Sequence, residues 1–187
     1  MISTAHQRLR VATREDHQRL EDRIDILQRI GVPESRRRLV EGFAGFHADA
    51  EMGLAPWLSD LPDLDFDARR RSTCLVEDLA TVGGVAPRSD AIRVGGVGEA
   101  LGMMYVLEGS TLGGRVIRRQ VMARGGDLRG LSFLDPYGAA VGERWRSFLA
   151  VLDAEARTAA DTEAMVAGAV AGFRQAARRL CGALAVA

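Results

Sequence analysis

The sequence predicts an all-α fold, a single-domain helical bundle over residues 1–187, and three features carry that expectation. Apolar residues recur three and four apart in six separate stretches, which is the spacing of a helix face. No stretch alternates apolar and polar residues around a short hairpin turn, as an antiparallel sheet requires. Alanine, leucine and arginine, all good helix formers, are abundant from end to end.

The first helix is expected from Thr4 to about Arg29, with Leu9, Ala12, Thr13, Leu20, Ile24 and Leu27 on one face. Gly31 and Pro33 break the pattern. Ser35 is placed to cap a second helix running to about Trp57, with Leu39, Phe43, Phe46 and Ala50 inward. DLPDLDFD makes a surface loop, and a third helix follows from Ala68 to about Val82. A fourth is expected from Gly95 to about Arg124. After the turn-rich GGDLRGLSFLDP, a fifth runs from Pro136 to about Arg157 with Trp145, Phe148, Leu149 and Leu152 inward, and a sixth from Thr162 to Ala185.

Composition narrows the function. The 25 basic residues balance the 25 acidic ones, so no global charge favours nucleic acid or an anionic membrane. All 25 basic residues are arginine, a side chain suited to bidentate grips on carboxylates. Cys74 and Cys181 form no CxxC pair and show no zinc spacing, so they read as small buried residues in a reducing compartment. The N-terminus has no apolar signal region and no run is long enough to span a bilayer, so a cytoplasmic location is expected. GGVGEALG at residues 95–102 has GxGxxxG spacing without a preceding strand, and it reads as a helix start rather than a dinucleotide fingerprint.

Three histidines remain. His6 lies near the terminus and is expected to be solvated. His17 falls on the apolar stripe of the first helix, four residues after Thr13, and Glu21 follows one turn later. A carboxylate there can orient one ring nitrogen and leave the other for a metal; a core histidine satisfied by a neighbouring acid has the same spacing. His47 adjoins Phe46. Together with His17 it suggests a dinuclear carboxylate site, but the chain has none of the Glu-x-x-His motifs such bundle sites use.

The segment YVLEGSTLGG, residues 105–114, puts Gly109, Gly113 and Gly114 inside an apolar helix, a loss of about 3 kcal/mol against alanine. Gly102, Tyr105, Gly109 and Gly113 are spaced to share one face, leaving bare backbone. Either another helix packs into that groove, or a flat ligand lies on it.

LRVATREDHQRLE with His17 and Glu21, about ninety residues before YVLEGSTLGGRVI, resembles the heme oxygenase family, especially the bacterial forms that supply biliverdin to phytochromes. The resemblance implies a heme oxygenase-like bundle with a glycine-kinked distal helix, covering nearly the whole chain. It implies that heme b is both cofactor and substrate, cleaved with O2 and electrons from an external donor to biliverdin, CO and Fe(II). His17 matches the proximal iron ligand and Glu21 the acid that orients it. Gly109 and Gly113 match the distal glycines whose backbone lies across the heme and sterically selects the meso carbon. Arg10 and Arg146, the latter in WRSFLAVLD, match propionate-binding positions, and Tyr105 is a looser candidate. A ferredoxin, flavodoxin or reductase is the implied donor, and a bacteriophytochrome a possible recipient. Mammalian members carry an aspartate after the first distal glycine; here Ser110 stands there, and a hydroxyl holds water without being a resting anion. Proton delivery must therefore be built differently. A heme carrier or sensor that does not degrade heme would keep the same motifs, a non-heme metal enzyme would need the absent paired carboxylates, and a thiaminase-like relative would need a placed nucleophilic cysteine.

Overall fold

The computed structural model describes residues 4–182, so the expected end of the last helix at Ala185 lies outside the described residues. Seven α-helices and no strand occur among them: α1 Thr4–Ile24, α2 Ile26–Gly31, α3 Pro33–Leu58, α4 Ser72–Val82, α5 Val97–Ala123, α6 Val141–Glu155 and α7 Ala159–Cys181. The all-helical expectation holds, and the differences lie at the ends.

The expected first helix is two helices. Asp25 adopts a left-handed conformation, φ 41° and ψ 57°, which ends one helix and starts the next. Pro33 occupies the first turn of α3, where its missing N–H is no loss, so α3 begins before Ser35 and that serine is not its cap. α4 begins at Ser72 rather than Ala68, because residues 67–69 form a 3-10 turn and Arg70 is extended. Glu51 of α3 marks that start: its carboxylate accepts from the backbone N–H groups of Arg71 at 2.7 Å and Ser72 at 3.2 Å. α6 starts at Val141, after a 3-10 turn at Gly138–Ala140. α7 starts three residues early through a capping box in which Thr158 and Asp161 bond each other's backbone N–H.

One core joins the elements, with Leu9, Leu39, Leu54, Leu101, Phe148 and Met165 fully buried in it. α7 runs parallel to both of its main neighbours. Along α5, Gly98 meets Ala164, Gly102 meets Met165 and Ala169, and Val106 meets Gly172. Along α1, Arg8 pairs with Glu163, and the His17 ring meets Phe173 at 5.6 Å. Hence α1 and α5 point the same way on two sides of α7. Cys74 and Cys181 are half-buried free thiols. No helix among the described residues is long and apolar enough to cross a membrane.

Candidate functional site

α7 serves as a ruler for the site. Gly172 touches Met103 and Val106 of α5, and the next residue, Phe173, meets His17 of α1 edge-on. His17 therefore stands level with the turn that precedes Gly109.

The face of α5 shared by Gly102, Tyr105, Gly109 and Gly113 is not uniformly bare. A Cβ at Gly102 would collide with the backbone of Met165 and lie 2.8 Å from the amide nitrogen of Ala169, so this glycine admits α7 and takes no part in a ligand face. One turn on, the Tyr105 ring packs against Trp145 at 5.6 Å and His6 at 5.9 Å. At Gly109 only the edge of Trp145 comes within contact, at 3.9 Å, and at Gly113 nothing lies within 4 Å. Both explanations of the glycines are thus realised in one helix: helix packing at Gly102, and at Gly114 against the Leu134 backbone, with open backbone at Gly109 and Gly113. α5 itself is an unbroken helix through all of them.

Across from that open face, the His17 side chain is 56 % exposed, which corrects the expectation of a buried imidazole. The buried stripe of α1 is Ala5, Leu9 and Thr13. Past it α7 supplies only Phe173 beneath the ring and leaves the other side uncovered. Nδ1 of His17 lies 3.5 Å from Glu21 Oε2, so the carboxylate faces one nitrogen while Nε2 has no protein partner among the described residues. His6 is likewise corrected: it is half-buried against Tyr105 and Trp145 rather than solvated. Burial lowers its proton affinity, the Arg10 charge lowers it further, and Asp153 of α6 opposes both. Arg10 also acts on Tyr105, whose hydroxyl is pushed up by burial and pulled back by that guanidinium. Arg10 and Arg146 are exposed, and neither is ion-paired among the described residues.

Ser110 is exposed on α5, directly after Gly109. Its Oγ donates to Leu107 O at 2.7 Å and accepts from Arg71 Nη1 at 2.9 Å, while Arg71 Nη2 donates to Leu107 O. The Arg71 guanidinium is buried and has no carboxylate partner among the described residues. Near it lies His47, fully buried, with Nδ1 3.4 Å from Glu51 Oε1. Burial first, then the Arg71 charge, lower the His47 pKa to about 4. Burial pushes the Glu51 carboxyl up, but the adjacent His47 imidazole and hydrogen bonds from Ser72 and the Arg71 backbone N–H prevail and bring it to about 2. Glu108, inside YVLEGSTLGG, is buried too: it accepts from Arg69 Nη1 at 2.8 Å and from the Tyr137 hydroxyl at 2.7 Å. None of Arg71, Glu51, Arg69 and Glu108 was expected from the sequence. His47 and Glu51 repeat the four-residue spacing of His17 and Glu21, the one signal that pointed to them. His47 is well separated in role from His17, and no group of three His, Cys, Asp or Glu able to hold a metal ion occurs among the described residues.

An exposed imidazole, together with helix backbone left open at Gly109 and Gly113, offers room for something flat that binds through a metal. A heme oxygenase from Xanthomonas campestris pv. campestris is 38 % identical over 144 residues, 73 % of this chain and 78 % of that protein. The chain belongs to the heme oxygenase family. Two solved structures show the same fold: the NO- and CO-bound heme oxygenase from Neisseria meningitidis, with a TM-score of 0.80, 21 % identity and 97 % and 94 % of the two chains covered, and the heme oxygenase from Leptospira interrogans, with a TM-score of 0.75, 17 % identity and 96 % and 99 % covered. No family model matches the chain. The residues present fit the family's substrate: a free imidazole nitrogen for iron, bare backbone opposite, and the exposed apolar side chains of Leu112 and Val116 beside Gly113.

Proposed function

We propose that the chain binds heme between α1 and α5 and cleaves it with O2 and externally supplied electrons to biliverdin, CO and Fe(II). The observation that carries this reading is the pairing of an exposed, Glu21-oriented His17 with the open backbone at Gly109 and Gly113. Bound heme supplies the iron at which oxygen is activated and the macrocycle that is broken.

The chain's own residues do the rest. His17 Nε2 holds the iron and Glu21 fixes the ring that carries it. The Gly109–Gly113 backbone lies over the opposite face and leaves room there only in some directions, which makes the choice of meso carbon steric. Arg10 and Arg146, ion-paired to no acid among the described residues, grip the propionates, and Tyr105 stands beside Arg10. Ser110 carries out proton handling with Arg71 rather than with an aspartate: the guanidinium holds Oγ as an acceptor and puts a fixed positive charge behind it. A ferredoxin, flavodoxin or reductase supplies the electrons, and a bacteriophytochrome is a fitting recipient of the product.

Heme titration tests the reading. The protein is expected to take up one heme with a sharp Soret band, and His17→Ala to keep part of the binding while losing turnover. Full activity of His17→Ala without added imidazole would remove His17 as the ligand.

A further inference from the structure

A second cavity, of about 470 Å³, opens between the start of α4 and the 3-10 turn that leads into α6. Three guanidiniums line it: Arg70 and Arg71 from the chain just before α4, and Arg144 from the first turn of α6. None of His17, Gly109 and Gly113 lines it, so it is separate from the site described above. Arg70 lies 3.5 Å from both Glu51 and Asp67, and Arg144 lies 3.0 Å from Asp65, but none of these acids lines the cavity. Both arginines are partly exposed, so these pairs are weak and leave donors to spare. Glu77 is the one carboxylate in the lining. Arg71 is different, being buried. Its Nη groups are committed to Ser110 Oγ and Leu107 O, and its Nε–H is buried with no acceptor among the described residues. A buried charged donor without an acceptor is costly, and an anion in the cavity is what would supply one. The first turn of α4, whose dipole favours negative charge, adds Thr73 and Cys74 to the same lining.

We propose that this cavity binds phosphate, free or as the end of a small ester, on Arg71, Arg70 and Arg144. The guanidiniums come from two separate segments and approach from different directions. A tetrahedral ion has an oxygen for each of them, whereas a planar carboxylate serves forks lying in its own plane. The Arg144 guanidinium stands over the Tyr137 ring at 5.6 Å, which holds its fork in place. The Tyr137 hydroxyl in turn donates to Glu108, and Arg71 bonds Leu107 and Ser110, so the cavity is tied to α5 on both sides of Gly109. An anion that takes Arg71 Nε draws on the same planar group that holds Ser110. Its occupation is therefore felt at Ser110, whether or not heme is present.

The test titrates the heme-free full chain with inorganic phosphate at fixed ionic strength, by calorimetry and by amide NMR. Saturable binding at one site is expected, with the amide resonances of Thr73, Cys74 and Ser110 moving together. Arg70→Gln and Arg144→Gln, both at partly exposed positions and checked for folding by circular dichroism, should each weaken binding about tenfold. No saturable binding overturns the proposal, and so does wild-type affinity in both variants. Malonate is expected to bind more weakly than phosphate, and equal or tighter binding of malonate overturns the choice of phosphate. Glycerol 3-phosphate identifies the source: binding tighter than that of phosphate supports an ester as the occupant, and weaker binding supports the free ion. A Ser110 amide that stays in place while phosphate saturates the cavity overturns the link to α5. Because heme is absent throughout, none of these results depends on the heme-cleaving reading, and that reading stands or falls separately.

Discussion

Alanine at Gly113 and alanine at Gly102 should act in opposite directions, although the two positions share one face of one helix. Nothing lies within 4 Å of a Cβ at Gly113, so Gly113→Ala adds a methyl group to open space and removes a glycine from a helix interior. The heme-free protein should gain about 1 kcal/mol. For a chain of this length that raises the melting temperature by roughly 2–4 °C. The same methyl group occupies the place where heme is to lie, so heme affinity and turnover should fall while stability rises. At Gly102 the Cβ meets the Met165 carbonyl group and lies 2.8 Å from Ala169 N. It can be accommodated only by parting α5 from α7, at about 1–3 kcal/mol or more. Urea denaturation of the heme-free proteins, followed by heme titration, reads both effects. A destabilised Gly113→Ala with unaltered heme binding would refute the assignment of that glycine to a ligand face. A Gly102→Ala as stable as the wild type would refute the helix-packing role given to Gly102.

Other outcomes follow from the buried charges and the arginines. His47 takes its proton at about 4 in the folded chain against 6.5 ordinarily. Between those values the unfolded state binds the proton and the folded state does not, so stability falls as the pH falls, by about 2 kcal/mol between pH 7 and pH 5. His47→Gln should flatten that step in denaturation curves, and an equally steep step in the variant would contradict it. Glu51, whose pKa is lowered, adds its own loss only below about 4.5. Glu108→Ala strands the buried Arg69 guanidinium and should cost about 3–5 kcal/mol, whereas changing both partners to apolar residues should recover much of it. Neutral residues at Arg10 or Arg146 should alter heme affinity or the biliverdin isomer ratio, and a wild-type result in both variants would refute the propionate assignment.

The helices were legible because a 3.6-residue period survives in any order of packing, whereas the start of α7, set by the TAAD capping box at residues 158–161, was missed by the expected start at Thr162. The split at Asp25 was not, since a left-handed aspartate has no periodic signature. In the site, His17 and Glu21 share their spacing with His47 and Glu51, yet one pair is exposed and the other is buried. Spacing fixes which side chains are neighbours on a helix, and the helices packed around them decide exposure. Arg69 and Arg71 were invisible for a related reason: in a chain with 25 arginines, nothing marks the two whose partners, Glu108 and Ser110, lie on another helix. Gly102 misled because its face looks continuous with Gly109 and Gly113 until α7 is laid across it.

Aerobic turnover of the heme-loaded protein bears most directly on the central claim. Given a reductant and air, the complex should lose its Soret band, gain the red absorption of biliverdin and release CO. A stable oxygen complex with an intact Soret band would contradict the claim and leave a protein that binds heme between α1 and α5 without breaking it.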